Sequence, residues 1–181
     1  MKKNDIKVIT NLRENGRMPL TELSRRIGLP ISTIHEKLKK RIAQGAVRPC
    51  VLLQFQKLGF DTRAFILLGV EPAEKEKLLA YLSKHANVNS LFRINSGWTA
   101  LIEGVFRDMY ALETFIETVE QLFTIRQKQV CYVLDELRRE AFFSDAVLAE
   151  GLVANGTKSR ESLKNNKKKQ RFTNTSEFHP D

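Results

Sequence analysis

Residues 20–47 read Leu-Thr-Glu-Leu-Ser-Arg-Arg-Ile-Gly-Leu-Pro-Ile-Ser-Thr-Ile-His-Glu-Lys-Leu-Lys-Lys-Arg-Ile-Ala-Gln-Gly-Ala-Val. Two short helical patterns meet at Gly28, and Gly45 ends the second before an apolar re-entry into a strand. A tight turn between crossing helices needs a residue at positive φ, which glycine adopts at least cost. With an earlier helix around Ile6, Ile9 and Leu12, this layout predicts a winged helix-turn-helix. Such a module places its second helix in the DNA major groove.

At about 100° per residue, Ile31, Ile34, Leu38 and Ile42 fall on one arc of that second helix and form its expected buried stripe. The opposite arc carries Ser32, Thr33, Glu36, Lys39 and Lys40, with Lys37 on its flank and His35 and Arg41 at the boundaries. The hydroxyls and cations of this arc can contact bases or phosphates, whereas an ordinary solvated helix face shows the same pattern without a ligand. Ser32, Thr33, Glu36, Lys37 and Lys40 are the groove-facing candidates, and Arg17, Arg25 and Arg26 would sit on the flanking backbone. Glu36 can accept from a cytosine amino group, or it can serve the helix as a cap.

Charge is distributed to match. Residues 1–50 hold 12 Lys/Arg against 4 Asp/Glu, residues 51–155 hold 11 against 14, and residues 156–181 hold 7 against 3. A basic end attracts a polyanion and releases its counterions, while the mildly acidic centre must serve another purpose.

A chain of 181 residues with 42% apolar content can build one sizeable or two small cores. No apolar run approaches the roughly 18 residues of a membrane span, and Met-Lys-Lys-Asn-Asp leads into a charged segment rather than a secretion signal. A cytoplasmic protein is expected. Cys50 and Cys131 lie in apolar runs and are expected to be buried, reduced thiols. His35, His85 and His179 are scattered, with no metal-ligand spacing. There is no phosphate loop or nucleophile turn either, so no catalytic residue, metal or cofactor is expected.

From residue 60 the periodicity changes. Thr62–Val70 is a strand pattern ending at Glu71-Pro72, and residues 73–85 carry Leu78, Leu79 and Leu82 at helical spacing. Residues 88–94 and 98–106 are strand candidates joined by Asn95-Ser96-Gly97. Asp108 is a candidate N-cap for a helix to about Leu122, and residues 125–134 close as a strand. The order βαββαβ is that of a ferredoxin-like sandwich, which alone says little about activity.

In combination these features resemble the leucine-responsive regulatory protein / asparagine-operon regulator (Lrp/AsnC) family, over about residues 5–135. The resemblance rests on Leu-Thr-Glu-Leu-Ser-Arg-Arg-Ile-Gly-Leu, on Ser-Thr-Ile-His-Glu-Lys-Leu, on a connecting strand reaching Lys57-Leu58-Gly59-Phe60, and on a glycine in the central hairpin. It implies an α+β chain: a DNA-binding winged helix-turn-helix (1–50), a linker strand (51–60) and a βαββαβ effector and oligomerisation domain (61–135). It also implies a prokaryotic, nucleoid-associated transcriptional regulator that binds double-stranded DNA. Dimers would form through the sheet and assemble further into tetramers or octamers, with small molecules, often amino acids, bound between them.

The sequence departs from the family at two places. Where members usually have Ser-Pro before the recognition helix, this chain has Pro30-Ile31, so Ser32 or Thr33 is expected to cap, and Thr33–Glu36 has capping-box spacing. Where the hairpin commonly reads Gly-Asp-Tyr-Asp, here it reads Gly97-Trp98-Thr99-Ala100. Both carboxylates that could hold an amino-acid ammonium are gone, so a typical amino-acid effector is not expected there. Arg93, Ser96, Gly97 and Trp98 remain candidates for an effector or interface site; Trp98 packs in an interface or stacks on a ligand.

Residues 136–155 continue the helical pattern through Leu137, Ala141, Val147, Leu148 and Leu152, predicting a C-terminal helix. The adjacent pair Phe142-Phe143 cannot face one core, which points one ring at another subunit or the linker. Residues 156–181 are expected to be a basic, disordered tail, either solubilising or in auxiliary contact with DNA. Two other functions remain: a sensing or protein-interaction module without operator specificity, and an enzyme on the same fold. An RNA binder using the sheet is disfavoured by the absence of a paired aromatic signature on a central strand.

Overall fold

The computed structural model describes residues 2–154. The described chain divides into two units, one of residues 2–50 together with residues 138–154, the other of residues 51–137.

The first unit begins with three helices: α1 (Lys3–Glu14), α2 (Leu20–Ile27) and α3 (Ile31–Ala43). Val8, Met18, Leu23 and Ile34 form its core, with Leu12, Leu20, Ile27 and Leu29 packed around them. Gly28 ends α2 at φ +68°, its N–H bonded to the Ser24 carbonyl at 2.9 Å, as the positive-φ argument requires. The Ser24 hydroxyl donates to the Leu29 carbonyl at 2.6 Å and closes the turn. The α3 start differs from expectation. Pro30 occupies the N-cap position with extended backbone and no side-chain cap, and its carbonyl accepts from the Ile34 N–H at 3.1 Å. The fixed φ of proline sets the entry angle, so neither Ser32 nor Thr33 caps, and the helix does not start late.

Only Ile34 of the expected α3 stripe is fully buried. Leu38 is half-buried, and Ile31 and Ile42, at 44% and 40% exposed, lie at the helix ends beyond the reach of the small three-helix core.

The strand expected over residues 51–60 is not formed. Among the described residues no strand lies between Ala43 and Thr62, and the segment holds only a short 3-10 turn, Gln56–Leu58. A strand needs a neighbouring strand to complete its ladder, and among the described residues no strand pairs with this segment; Val51 and Leu52 stand exposed. Cys50 lies in this segment and is exposed, as is Cys131, which corrects the expectation of buried thiols.

The second unit is an antiparallel four-stranded sheet with two helices. Its elements are β1 (Thr62–Val70), α4 (Lys75–Leu82, after a 3-10 turn at Pro72–Glu74), β2 (Val88–Arg93), β3 (Ala100–Phe106), α5 (Met109–Leu122) and β4 (Ile125–Tyr132), in the sheet order β2-β3-β1-β4. This is the expected βαββαβ arrangement. Asp108 caps α5 by accepting from the Ala111 N–H at 2.8 Å. Alternate residues of each strand point into a core of Ala64, Ile66, Leu68, Ala100, Ile102 and Phe106. Leu78, Leu82, Leu112, Phe115, Ile116 and Val119 from the helices close that core. The opposite sheet face carries Arg63, Phe65, Leu67, Leu101, Glu103, Phe92, Gln127, Gln129 and Cys131, by the observed register.

The C-terminal helix expected from residue 136 begins only at residue 146. Glu140 and Phe143 adopt φ of +52° and +65°, which a right-handed helix cannot contain. Asp145 caps the helix instead, accepting from the N–H groups of Val147 and Leu148 at 2.8 and 2.9 Å. This segment does not stand apart but joins the first unit. Arg13 bonds the carbonyls of Glu140 and Phe142, Lys3 pairs with Glu150 at 3.3 Å, and Ala149 is buried. The Phe142 and Phe143 rings lie against each other, centroids 5.0 Å apart, and Phe142 is largely exposed. The expected tail, 156–181, lies outside the described residues.

Candidate nucleic-acid interface

Burial of Ile34 fixes the rotation of α3, and the arc opposite it is set by that anchor. Ser32, Glu36, Lys39 and Lys40 are exposed on α3, and Thr33 is half-buried. Arg17 and Arg25 are exposed, the latter on α2. Arg26, also exposed, is paired with Glu22 at 3.0 Å one helical turn away and with Glu14 at 3.6 Å, which offsets part of its charge. The side chains brought together by geometry are those of α3.

Lys37 does not share that arc as expected. Its ammonium donates to Asp5 Oδ1 at 2.8 Å, and Arg41 donates to Asp5 Oδ2, so both turn towards α1. Asp5 is only 5% exposed. Burial raises its pKa, but the hydrogen bonds from Lys37 and Arg41 outweigh this and hold the carboxyl at about 2, against an ordinary 3.8. The pair pins α1 to α3. Sequence reasoning missed Asp5, although a signal was present: a carboxylate beside Ile6 in the first turn of α1, and two cations one turn apart in α3.

The hairpin candidates are split. Ser96 and Gly97 take φ of +60° and +86° in a tight turn closed by the Trp98 N–H on the Asn95 carbonyl at 3.3 Å. Trp98 is half-buried. Arg93 is paired with Glu76 of α4 at 2.9 Å, both well exposed. The next β3 carboxylate along, Glu103, is already committed: Arg63 donates to it at 2.8 Å, Asn89 at 2.7 Å and Ser90 at 2.6 Å. Burial raises its pKa, and those hydrogen bonds outweigh the cost and lower it. Arg63 also bonds Glu136 and lies over the Phe55 and Phe65 rings.

Among the described residues no cluster of three or more His, Cys, Asp or Glu side chains could hold a metal, and no helix is long and apolar enough to cross a membrane.

A family model described as a winged helix-turn-helix DNA-binding domain matches residues 1–48. An HTH-type transcriptional regulator of Pyrococcus abyssi is 32% identical over 113 residues, covering 62% of this chain and 72% of the relative. A solved transcriptional regulator of Neisseria meningitidis, in complex with L-methionine, superposes with a TM-score of 0.71 at 29% identity, covering 77% of this chain and 93% of that one. The fold is also that of AsnC from Escherichia coli, with a TM-score of 0.68 at 21% identity, covering 77% of this chain and 95% of that one. The fold and the exposed cationic helix define a DNA-binding transcriptional regulator. The chain belongs to the Lrp/AsnC family.

Proposed function

We propose that this protein is a sequence-specific regulator that reads promoter DNA through the exposed arc of α3 and assembles as a homodimer or a higher even oligomer. The observation that carries the reading is the α3 arrangement: Ile34 buried on one side, and Ser32, Glu36, Lys39 and Lys40 exposed on the other. Thr33 belongs to the same reading surface, and Arg17 and Arg25 supply flanking phosphate contacts. Lys37 is withdrawn from base readout because Asp5 holds it. Dimerisation uses the sheet face opposite α4 and α5, where Phe92 is half exposed and Phe65 and Leu67 are partly covered. Action on chromosomal DNA makes the protein cytoplasmic. Recovery of bound genomic fragments tests the reading: a shared motif with two half-sites about one helical turn apart supports it, and recovery without a motif overturns it.

A second reading concerns the effector. The hairpin has no carboxylate for an α-ammonium group, and desolvating an unpaired ion costs several kcal/mol. Free amino acids therefore do not bind at Gly97 and Trp98; a more apolar or anionic ligand, or none, is expected. Glu103 does not rescue the site, because Arg63, Asn89 and Ser90 occupy it. A saturable rise in thermal midpoint with any of the twenty amino acids, abolished by Gly97→Trp, would overturn this reading.

A further inference from the structure

One cleft of the first unit collects charge that the helix packing does not use up. It is lined by Lys2, Asp5, Lys37, Lys40 and Arg41. Four cations face one carboxylate, a net excess of three positive charges. The partners divide unequally. Arg41 is spent on both sides: one terminal nitrogen is on Asp5, and the other donates to Gln44 Oε1 at 3.2 Å. Lys37 gives one N–H to Asp5, at 2.8 Å, and an ammonium carries three. Lys2 and Lys40 are exposed at the cleft's rim. Asp5 thus serves as an internal counterion that holds two cations in place, while the mutual repulsion of the remaining charge is left to be relieved from outside.

We infer that this cleft is a phosphate site that seats the DNA backbone beside the groove read by α3. The inference rests on the proposed DNA-binding function and deepens it. Lys40 provides the continuity: it belongs to the exposed arc of α3 and also lines the cleft, so a duplex lying along that arc brings a strand of phosphates past the rim. Each phosphate carries one negative charge, and its neutralisation releases condensed counterions, a sequence-independent gain. Lys2, Lys40 and the two remaining Lys37 donors supply charge-assisted hydrogen bonds. Asp5 opposes the incoming anion but keeps Lys37 and Arg41 from collapsing onto other acceptors. A free phosphate or a phosphorylated metabolite shares this chemistry, and the experiment separates that source from the DNA backbone.

The test uses the full chain, with binding to duplex DNA followed across a salt titration for a recovered genomic site and for a scrambled duplex. Lys2→Ala is expected to weaken both duplexes alike and to lower the logarithmic salt slope by about one unit. Asp5→Asn keeps the side-chain shape and removes the one carboxylate among the described residues that line the cleft. It should lower the thermal midpoint yet tighten DNA binding and steepen the salt slope, a combination that a merely structural role would not produce. Wild-type slope in Lys2→Ala, or weakened binding in Asp5→Asn, overturns the inference. If the wild-type chain shows no duplex binding, the proposed function falls and the inference with it. If Glu36→Ala changes sequence preference while Lys2→Ala does nothing, only the cleft is misassigned. Inorganic phosphate is the remaining probe: a saturable stabilisation lost in Lys2→Ala, with DNA binding unaffected, would assign the cleft to a free anion and overturn the backbone source.

Discussion

Gly69 of β1 stands opposite Gln127 of β4, and because Gly69 has no side chain, the Gln127 carboxamide crosses over it to donate to the Gly97 carbonyl at 2.9 Å. A Cβ at position 69 would lie 2.6 Å from Gln127 Cγ. One edge strand thereby holds the tip of the hairpin between β2 and β3. Gly69→Ala should displace the carboxamide and cost about 1 kcal/mol, the usual worth of one net hydrogen bond. Gln127→Ala should cost a similar amount, and the double variant no more than either alone. Chemical denaturation of the three variants checks this; additive losses would show that the two residues do not act through one contact.

Acid should loosen the first unit through Asp5. Its folded pKa of about 2 lies below the ordinary 3.8, so the unfolded state takes up the proton first as pH falls. The ion pairs contribute in full above about pH 4, and their contribution is lost as pH falls through 2, amounting to about 2 kcal/mol. Asp5→Ala should flatten the stability–pH profile in that window and lower stability at neutral pH. Helix-band circular dichroism during thermal melts at stepped pH reads both effects.

His85 acts in a higher window. Burial lowers its pKa below the ordinary 6.5. Its ring is 4.8 Å from the Phe115 ring and 5.7 Å from Tyr81, and its Nδ1 accepts from the Asn87 N–H at 3.2 Å. The neutral ring is the one that fits. Stability is complete above about pH 6.5 and declines below it, because the unfolded chain protonates first. In His85→Gln, melting temperature should lose the part of its pH dependence that sets in below about 6.5. A variant profile parallel to wild type in that interval would remove His85 from the account.

Lys40 and Glu36 should fail differently when truncated. Lys40→Ala is expected to weaken every duplex and lower the salt slope by about one unit, as loss of a phosphate contact does. Glu36→Ala should leave that slope nearly unchanged and relax preference at one base pair by about 1–3 kcal/mol. Fluorescence anisotropy with the cognate and base-substituted duplexes separates the two. A common effect of both variants on all sequences would deny Glu36 a reading role.

Much of the fold was legible because it is written locally. The β-branched run from Thr62 to Val70 ends at Glu71-Pro72 and forms a strand with those bounds. Gly28 and Asp108 end and begin helices through their own backbone and side-chain chemistry. The missed features depend on partners far away in sequence. Asp5 meets Lys37 and Arg41 across 32 and 36 positions, and Arg13 meets Glu140 across 127. Helical periodicity predicted residues 136–155 as one helix, because apolar spacing does not reveal positive φ at Glu140 and Phe143. For the candidate site, the exposed arc of α3 followed from the position of Ile34, whereas the inward turn of Lys37 required knowledge of what lay beside it. Cys131 was misjudged for a related reason, because an apolar run says that a strand forms and not which of its two faces is covered, and Cys50 because its run forms no strand at all.

Among the described residues the chain passes between its two units twice, since residues 138–154 return to the unit formed by residues 2–50. On the ribosome, α1 therefore emerges first yet acquires its partners Glu140 and Glu150 only after the entire sheet has been synthesised. The same threading governs proteolysis. A cut in the exposed stretch around Val51 severs one passage and leaves the other, so the amino-terminal fragment stays fastened through Arg13 and Lys3 to a segment still covalently joined to the sheet. A nicked molecule would elute whole from a sizing column and separate only under denaturing conditions.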